Sequence, residues 1–274
     1  MDNMQAWIGR GYTQQDEITR PALLRIAALL DIADPDFQMG APIPAHWYAM
    51  FFPEIAPQSQ LSLDGHSRRG DFLPPVDLPR QMFAGRRVTV TGKLRVGDIA
   101  TKCSEIIAIK PKTGRSGAMV FVTIRYVILA GGGEVLVGEQ DVVFCGAADP
   151  NSQLPMPTPA PTESTWSETV TPTTTLLFRY SAITFNGHRI HYDADYTRSE
   201  EGYPALVMNG GLTALLLTEA ASRAYGRAPS GLTFRNVRPL FCGNPMILAG
   251  DGRGSAWAAD SDGALSVSAT FTFG

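Results

Sequence analysis

Cysteine is scarce in this chain of 274 residues, which contains three of them at widely spaced positions. An odd number of distant thiols supplies neither a disulfide framework nor the closely spaced ligands of a zinc site. We therefore interpret Cys103, Cys145 and Cys242 as reduced structural residues, because a free cysteine is commonly a small buried apolar side chain.

The chain also lacks an excess of positive charge, with 23 Lys and Arg against 26 Asp and Glu and a net charge of -3. This balance argues against a nucleic-acid partner, so any anionic ligand has to be bound by local basic groups. No hydrophobic run is long enough to span a bilayer, and the N-terminus does not resemble a secretory signal. We expect a cytoplasmic protein without a membrane partner. Its hydrophobic content of 44% is enough for a large core.

Proline, threonine and serine are concentrated between Ala147 and Thr175, where neither a helix nor a central strand is favoured. This composition predicts a linker over residues 149–175, between an N-terminal domain (1–148) and a C-terminal domain (176–274). Each half is large enough to fold compactly. A faint similarity between Leu-Arg-Val-Gly-Asp at 94–98 and Leu-Phe-Cys-Gly-Asn at 240–244 favours a duplicated domain.

Each half has a helical pattern followed by several strand patterns. In the first half, a helix is expected from Arg20 or Pro21 to Ile32, and glycine-rich turns separate β-branched and aromatic strands over 87–91, 100–103, 119–128 and 134–144. In the second half, residues 212–221 are apolar on nearly all sides and predict a buried helix that ends at Gly226. Strands are expected over 231–237, 245–250, 254–260 and 264–273. The order favours an α+β fold in which an antiparallel sheet wraps a helix.

Two of the four histidines, His188 and His191, lie in the segment Thr-Phe-Asn-Gly-His-Arg-Ile-His-Tyr-Asp at 184–193. Histidine is suited to proton transfer near neutral pH. Downstream, Asn209 is a good N-cap for the predicted helix, and the amides of Gly210 and Gly211 would form its positive end. A proton-transfer group near such amides indicates chemistry on a carbonyl compound.

A metal site is not expected from this segment. His188, His191 and Asp193 have the composition of a metal site, but neither a cysteine nor a third histidine is near them in sequence. The other two histidines, His46 and His66, occur in proline-rich stretches, and we expect them at the surface.

The segment at 178–193, together with Glu-Gly-Tyr-Pro at 201–204 and Val-Arg-Pro-Leu-Phe at 237–241, resembles the MaoC-type, double hot-dog hydratases and dehydratases of acyl thioesters. It is most similar to the mesaconyl-CoA and itaconyl-CoA hydratase group. Segments at 56–59, 68–75, 94–98, 114–117 and 139–141 extend the resemblance over most of the chain from about Ile43. It is most specific between Phe178 and Tyr203.

The resemblance implies two hot-dog domains, each with an antiparallel sheet around a long helix, and an active site in the second half. The first half would be non-catalytic and help to hold the substrate. The implied reaction is reversible hydration of a short, carboxylated enoyl thioester of CoA or an acyl carrier, without a cofactor other than the CoA of the substrate. His191 would be the general acid/base and Gly210 an oxyanion donor. A homodimer is compatible with the family.

One departure from the broader family concerns the aspartate five residues before the catalytic histidine, which is replaced here by Asn186. Asparagine cannot act as a general base. Three interpretations are open. Asn186 orients the water or the thioester while His191 transfers protons, or His188 or Asp193 supplies the second proton-transfer group. In the third interpretation, the protein binds thioesters without hydrating them. We favour the first interpretation, since the mesaconyl-type subgroup also has Phe-Asn-x-His-Arg-Ile-His.

A second departure from the family sequence leaves the acyl group of the substrate unidentified. Relatives have His-Gly-Pro where this chain has Asn-Gly-Gly at 209–211, although backbone amides are unaffected by a change of side chain. We expect six residues to bind substrate: His188, Arg189, Asn209, Gly211, Arg68 and Arg69. Arg189 is favoured for CoA phosphates or a carboxylate because of its place in the motif, ahead of Arg68, Arg69 and the more remote Arg115. A hot-dog thioesterase and a catalytically silent thioester-binding protein are the alternative functions.

Overall fold

The computed structural model describes residues 4–33, 35–114, 117–147 and 156–274. Arg115, one of the cations considered above, and residues 149–155 of the predicted linker lie outside the described residues. The strands are β1 (Gly11–Glu17), β2 (Arg80–Val90), β3 (Ile99–Gly114), β4 (Gly117–Ala130), β5 (Gly133–Cys145), β6 (Trp166–Val170), β7 (Gly231–Asn236), β8 (Met246–Gly250), β9 (Ser255–Asp260) and β10 (Leu265–Thr272). The α-helices are α1 (Arg20–Leu29), α2 (Thr174–Ile183), α3 (Ala194–Ser199) and α4 (Gly210–Tyr225).

The described strands form one antiparallel sheet in the order β1-β3-β4-β5-β2-β7-β10-β9-β8-β6. Strands of the first half occupy one side and strands of the second half the other, which confirms the predicted α+β arrangement of two sheet-forming halves. The strands of the two halves form one continuous sheet because β2 pairs with β7. This pairing runs from Gly85 opposite Arg235 to Thr89 opposite Gly231. This pairing leaves neither strand with an unpaired edge at the centre of the molecule.

Helix α4 is the long buried helix that the sequence predicts. Its residues Leu212, Leu217 and Ala221 have no exposed surface, and the helix packs on β8 and β9. It ends at Gly226, whose φ of 67° is the left-handed conformation that glycine adopts readily. The C-terminal helix and its stop are therefore confirmed.

Helix α1 is shorter than expected. It starts at Arg20 behind the N-cap Thr19 and stops at Leu29, three residues before the predicted end. Leu23, Ile26 and Ala27 are fully buried in the core that also contains α4, and α1 packs against α2. The two halves thus share one core, and the described part of the first half does not contain a long helix of its own.

The predicted strands of both halves are present, and those of the first half are longer than expected. Two strands and two helices are additional: β1, β6, α2 and α3. Strand β6 lies inside the predicted linker and pairs with β8 at the edge of the sheet, where proline-rich flanks are tolerated. The domain boundaries at residues 148 and 175 stay a prediction. In the described chain, no helix is long and apolar enough to cross a membrane.

Replacement of Gly85 tests how much the pairing of β2 with β7 contributes to the stability of the fold. Gly85 lies at a bulge of β2, and a Cβ there would be 2.6 Å from the carbonyl oxygen of Phe234 on β7. We expect Gly85→Ala to lower the free energy of unfolding by about 2 kcal/mol, because neither backbone can yield without weakening the pairing. Denaturant unfolding measures the change. Gly133→Ala is the matched control, since nothing lies within 4 Å of its added Cβ; equal effects in both variants would contradict the explanation.

Candidate active site

A cavity of 1510 Å³ lies between the two halves. Its walls include the histidine motif, the N-terminus of α4, parts of β2 and β7, and a first-half loop over residues 61–67. The segment that resembles the family is therefore joined at this cavity by residues more than a hundred positions away in sequence.

His191 lies in a short 3-10 turn (Arg189–His191) and is buried. Its Nδ1 is 2.7 Å from the carbonyl oxygen of Val207. A carbonyl can only accept, so Nδ1 carries the proton and Nε2 keeps its lone pair. Burial lowers the pKa of His191 to about 4 although the hydrogen bond to Val207 favours the charged form. The ring is therefore neutral at pH 7.

Asn186 forms the turn that leads into this segment. Its side-chain oxygen accepts a hydrogen bond of 2.9 Å from the backbone N–H of His188. The backbone N–H of Asn186 donates to the carbonyl of Ser181 near the end of α2. The preceding residue, Phe185, has a left-handed φ of 52°. Asn186 thus positions His188 by a local side-chain-to-backbone bond while it lines the cavity.

Three of the four histidines meet at this site. The ring centroid of buried His188 is 5.3 Å from that of His191 and 4.1 Å from that of His66. Burial, reinforced by the neighbouring histidines, lowers the pKa of His188. The expectation that His66 lies at the surface is wrong, because the loop 61–67 folds onto the motif.

The side chain of Asp64 accepts a hydrogen bond of 2.9 Å from Nδ1 of His66. Burial opposes ionisation of Asp64, but the hydrogen bonds and charge of His66 outweigh it and lower the pKa of Asp64 to about 2. Asp64, His66 and His188 each bring one possible metal ligand within 4.8 Å of the others. The Asp64–His66 hydrogen bond already accounts for the closest pair, so the arrangement is explained without an ion.

The surface prediction is also wrong for His46, which is buried. Its Nε2 lies 2.7 Å from the carboxylate of Glu219 on α4, and the indole N–H of Trp47 donates to the same oxygen. These contacts attach a 3-10 helix of the first half (Ala45–Met50) to the long helix of the second.

Arg189 holds the first-half loop against the motif. Its backbone N–H donates to the carbonyl of Asp64 at 2.8 Å, and its guanidinium donates to the carbonyl of Leu63 at 3.1 Å and to Asp193 at 2.7 Å. Gly65 and Gly187 are so close that a Cβ on Gly65 would overlap the carbonyl oxygen of Gly187. Arg189 thus positions the loop while it also lines the cavity, and its substrate-binding role stays a prediction.

The other two predicted arginines are not at the cavity wall. The guanidinium of Arg69 donates to the carbonyls of Val76, Leu78 and Pro79 and lies over the ring of Phe144. Arg68 is exposed and lies outside the lining residues. Arg69 thus stabilises a loop and Arg68 is a surface residue, and a substrate contact by either one stays a prediction.

The N-terminus of α4 opens on the cavity. Asn209 is the N-cap, and its side chain accepts a hydrogen bond of 2.8 Å from the N–H of Gly211. The N–H of Gly211 is therefore engaged within the protein, although Gly211 lines the cavity, and its contact with substrate stays a prediction. The N–H of Gly210 has no acceptor in the described part of the chain. A Cβ on Gly210 would be 2.8 Å from the side chain of Asn236 and 3.0 Å from Phe83, so the closely packed backbone requires glycine here.

Two arginines of β2 line the cavity and were missed because the sequence predicts this strand only from Arg87 onwards. Arg80 donates to Glu201 at 2.8 Å and also bonds the hydroxyl of Tyr203. Arg86 donates to Gln140 at 2.6 Å. The alternation of strand residues could have identified Arg86 as a residue of the cavity wall. Adjacent residues of a strand point to opposite faces, and Arg86 and Arg87 form such a pair.

Sequence comparison finds relatives of this chain among known proteins. The family model described as hydroxyacyl-thioester dehydratase type 2 matches residues 45–242. The mesaconyl-C(4)-CoA hydratase of Chloroflexus aurantiacus is 41% identical over 98% of this chain and 97% of its own length. A mitochondrial hydroxyacyl-thioester dehydratase type 2 of Schizosaccharomyces pombe is 34% identical over 32% of this chain and 30% of its own.

Solved structures share the fold. A MaoC-like dehydratase aligns with a TM-score of 0.71 at 14% identity, covering 99% of this chain and all of the other. A Mycobacterium tuberculosis protein described as a double hot-dog fold aligns with a TM-score of 0.62 at 12% identity, covering 96% of this chain and 95% of the other. The expected double hot-dog fold is thereby confirmed, with its two sheets joined through β2 and β7. Because the family model and the Chloroflexus aurantiacus relative match most of its length, the chain belongs to the hydroxyacyl-thioester dehydratase type 2 family of MaoC-like enzymes. It is a hydro-lyase.

Proposed function

We propose that this enzyme reversibly hydrates the double bond of a short, carboxylated enoyl-CoA, of which mesaconyl-CoA is the model. The observation that carries the proposal is a neutral His191, anchored through Nδ1, in the same cavity as the unengaged amide of Gly210. The 41% identity to a protein named mesaconyl-C(4)-CoA hydratase supports this substrate class. No cofactor is required beyond the CoA of the substrate.

The chemistry needs one group that takes a proton from water and one that delivers a proton to the α-carbon. We assign both steps to His191. Its Nε2 accepts the proton as the water oxygen bonds to the β-carbon, and the imidazolium then donates it to the α-carbon of the enolate. A pKa lowered to about 4 by burial makes that imidazolium a strong acid, which favours the second transfer.

The negative charge that develops on the thioester oxygen needs a donor that is already oriented. Gly210 N–H lies at the positive end of a sixteen-residue helix, where the helix dipole adds to the hydrogen bond. Asn209 acts on this donor indirectly, because its cap fixes the first turn of α4.

A single acid/base explains why the aspartate of the broader family can be absent. In this proposal Asn186 is a positioning residue that holds His188 and the turn before His191. Asp193 is a poor second proton carrier, because it is paired with Arg189 and also accepts the N–H of Tyr196 as the N-cap of α3. His188 borders the reaction site and shapes its wall.

The thioesterase alternative requires a carboxylate that activates water. Among the described residues that line the cavity, the carboxylates are Glu54 and Glu201. Glu54 is exposed, and Glu201 is paired with Arg80 at 2.8 Å. This arrangement favours hydration over hydrolysis.

Replacement of His191 tests the proposed acid/base. We expect His191→Asn to lower kcat for enoyl-CoA hydration by a factor of roughly 10² to 10⁴, because no other group replaces the lone pair of Nε2. Loss of enoyl absorbance with crotonyl-, mesaconyl- and itaconyl-CoA measures the rate. His46→Gln, which alters a buried histidine remote from the motif, is the control and should keep most of the activity. Unchanged turnover in His191→Asn would refute the assignment.

Substitutions of Asn186 separate positioning from direct chemistry. Asn186→Asp keeps an oxygen that can accept the N–H of His188, whereas Asn186→Ala removes it. We expect the alanine variant to lose at least about tenfold in kcat, as a misplaced catalytic group does, and the aspartate variant to recover most of that loss. The same absorbance assay measures both. An equal loss in the two variants would instead assign the amide nitrogen a direct role on water or substrate.

The buried histidines predict how stability depends on pH. In the unfolded chain these histidines take up protons near pH 6.5, whereas burial lowers the pKa of folded His191 to about 4. Between these values the unfolded state binds more protons, so the free energy of unfolding falls as the pH is lowered, by roughly 1.4 kcal/mol per unit for each such histidine. Denaturant unfolding from pH 7 to pH 4 measures the slope. His191→Asn should make it shallower, and an identical slope would show that His191 does not contribute.

A further inference from the structure

Arg86 projects from β2 towards the cavity at the junction of the two halves. Its Nη2 donates to Gln140 on β5, and its guanidinium carbon lies 5.1 Å from the ring centroid of Phe83 and 5.7 Å from that of Tyr48. Its Nε is shielded from solvent and has no hydrogen-bond partner in the described part of the chain. Arg86 therefore presents unused donor capacity inside the molecule.

The partners of Arg86 are neutral. In the described ranges, no carboxylate lies within salt-bridge distance of it. Gln140 supplies an amide oxygen, and Tyr48 supplies a phenol. An unpaired cation away from bulk water is unfavourable unless an anion joins it.

A second cation makes the region more positive. Lys102 on β3 lies with its Nζ 5.0 Å from the ring centroid of Tyr126. Burial and, to a smaller extent, the positive charge of Arg86 lower the pKa of Lys102 to about 8, against the opposing charge of Glu54. The exposed carboxylate of Glu54 offsets part of this repulsion, but in the described ranges no carboxylate lies within salt-bridge distance of Arg86 or Lys102. The two cations therefore leave a local positive field that attracts an anion.

The other arginines of β2 differ from Arg86 in this respect. Arg80 is paired with Glu201 at 2.8 Å, and Arg87 is paired with Asp141 at 2.7 Å and Glu139 at 3.0 Å. Arg86 and Arg87 are neighbours on the same strand but belong to opposite faces. Of the two β2 arginines that line the cavity, Arg80 is paired with a carboxylate and Arg86 is not, which indicates that Arg86 is available for a ligand.

The position of Arg86 relates it to the reacting end of the substrate. Phe83, which lies under its guanidinium, is also the side chain that a Cβ on Gly210 would approach to 3.0 Å. Tyr180 borders Gly211 and interacts electrostatically with Arg86. Aromatic side chains that contact the guanidinium thus also border the first turn of α4, which relates Arg86 to the acyl end of a thioester held at Gly210.

We infer that Arg86, with Lys102 behind it, binds the free carboxylate of the acyl group and makes the enzyme selective for CoA monothioesters of short dicarboxylic acids. The inference rests on the proposed function and adds the residue that recognises the substrate class. A guanidinium can bind a carboxylate through two parallel hydrogen bonds, which also orients the chain between Arg86 and Gly210.

Binding of two unreactive thioesters tests the subsite without turnover. Succinyl-CoA and butyryl-CoA have acyl chains of the same length, but one ends in a carboxylate and the other in a methyl group. By calorimetric titration, we expect the enzyme to bind succinyl-CoA at least tenfold more tightly than butyryl-CoA. Arg86→Gln should abolish this preference and leave the Kd of butyryl-CoA within twofold, whereas Arg86→Lys should keep part of it.

Arg87→Gln is the matched control, because it removes a guanidinium from the same strand on the face away from the cavity, and it should keep the full preference. Thermal unfolding of each variant checks that it is folded, and Arg86→Lys carries the test if Arg86→Gln does not fold. Equal binding of both thioesters by the unaltered enzyme, or an Arg86→Gln variant that keeps the preference, would overturn the inference. Equal weakening of both thioesters would also overturn it, since Arg86 would then contact the CoA moiety.

A hydration assay separates this inference from the proposed reaction. Arg86→Gln should lower kcat/KM for mesaconyl-CoA at least tenfold relative to that for crotonyl-CoA, which lacks the carboxylate. If the unaltered enzyme prefers succinyl-CoA in titration but hydrates no enoyl-CoA, the proposed function fails and the carboxylate subsite stands. If it hydrates both enoyl-CoAs equally well and Arg86→Gln does not change their ratio, the subsite fails and the hydratase stands.

Discussion

The pairing of β2 with β7 is the constraint on which the site depends. It joins the two halves into one sheet and places the side chain of Asn236 2.8 Å from the carbonyl of Phe83. The same pairing brings Phe83 and Asn236 against Gly210, so the first turn of α4 is packed by residues from both halves. Without it, the helix amide and the cations of β2 would belong to separate domains and would not line one cavity.

A division of charge within the cavity follows from this geometry. The motif end contains neutral imidazoles, because burial makes the protonated forms of His188 and His191 unfavourable. The β2 end contains the cation Arg86 among aromatic rings and an amide. The groups that we propose for proton transfer and for anion binding thus lie in different parts of the cavity wall.

Much of the secondary structure can be predicted from local patterns, since the apolar helix α4, its glycine stop and most strands have clear periodicity. Strand β1 is not predicted because its residues are mostly polar and exposed and it is recognisable only by its pairing with β3. Strand β6 was missed because its proline-rich flanks suggested a linker. Helices α2 and α3 are short, and their capping residues Thr173 and Asp193 are weak signals until the surrounding chain is in place.

The sequence by itself determined the local chemistry: the motif with Asn186 and His191, and the capped, glycine-led start of α4. These features depend on hydrogen bonds and conformations within a few residues. Only the tertiary structure decided that His66 joins the motif and that Arg189, Arg69 and Gly211 use their donors within the protein. It also decided that Arg86 has no carboxylate partner among the residues that the structure describes. Whether a charged or polar group is available to a ligand depends on which distant groups folding brings within hydrogen-bond distance, and strand pairing and loop docking set those distances.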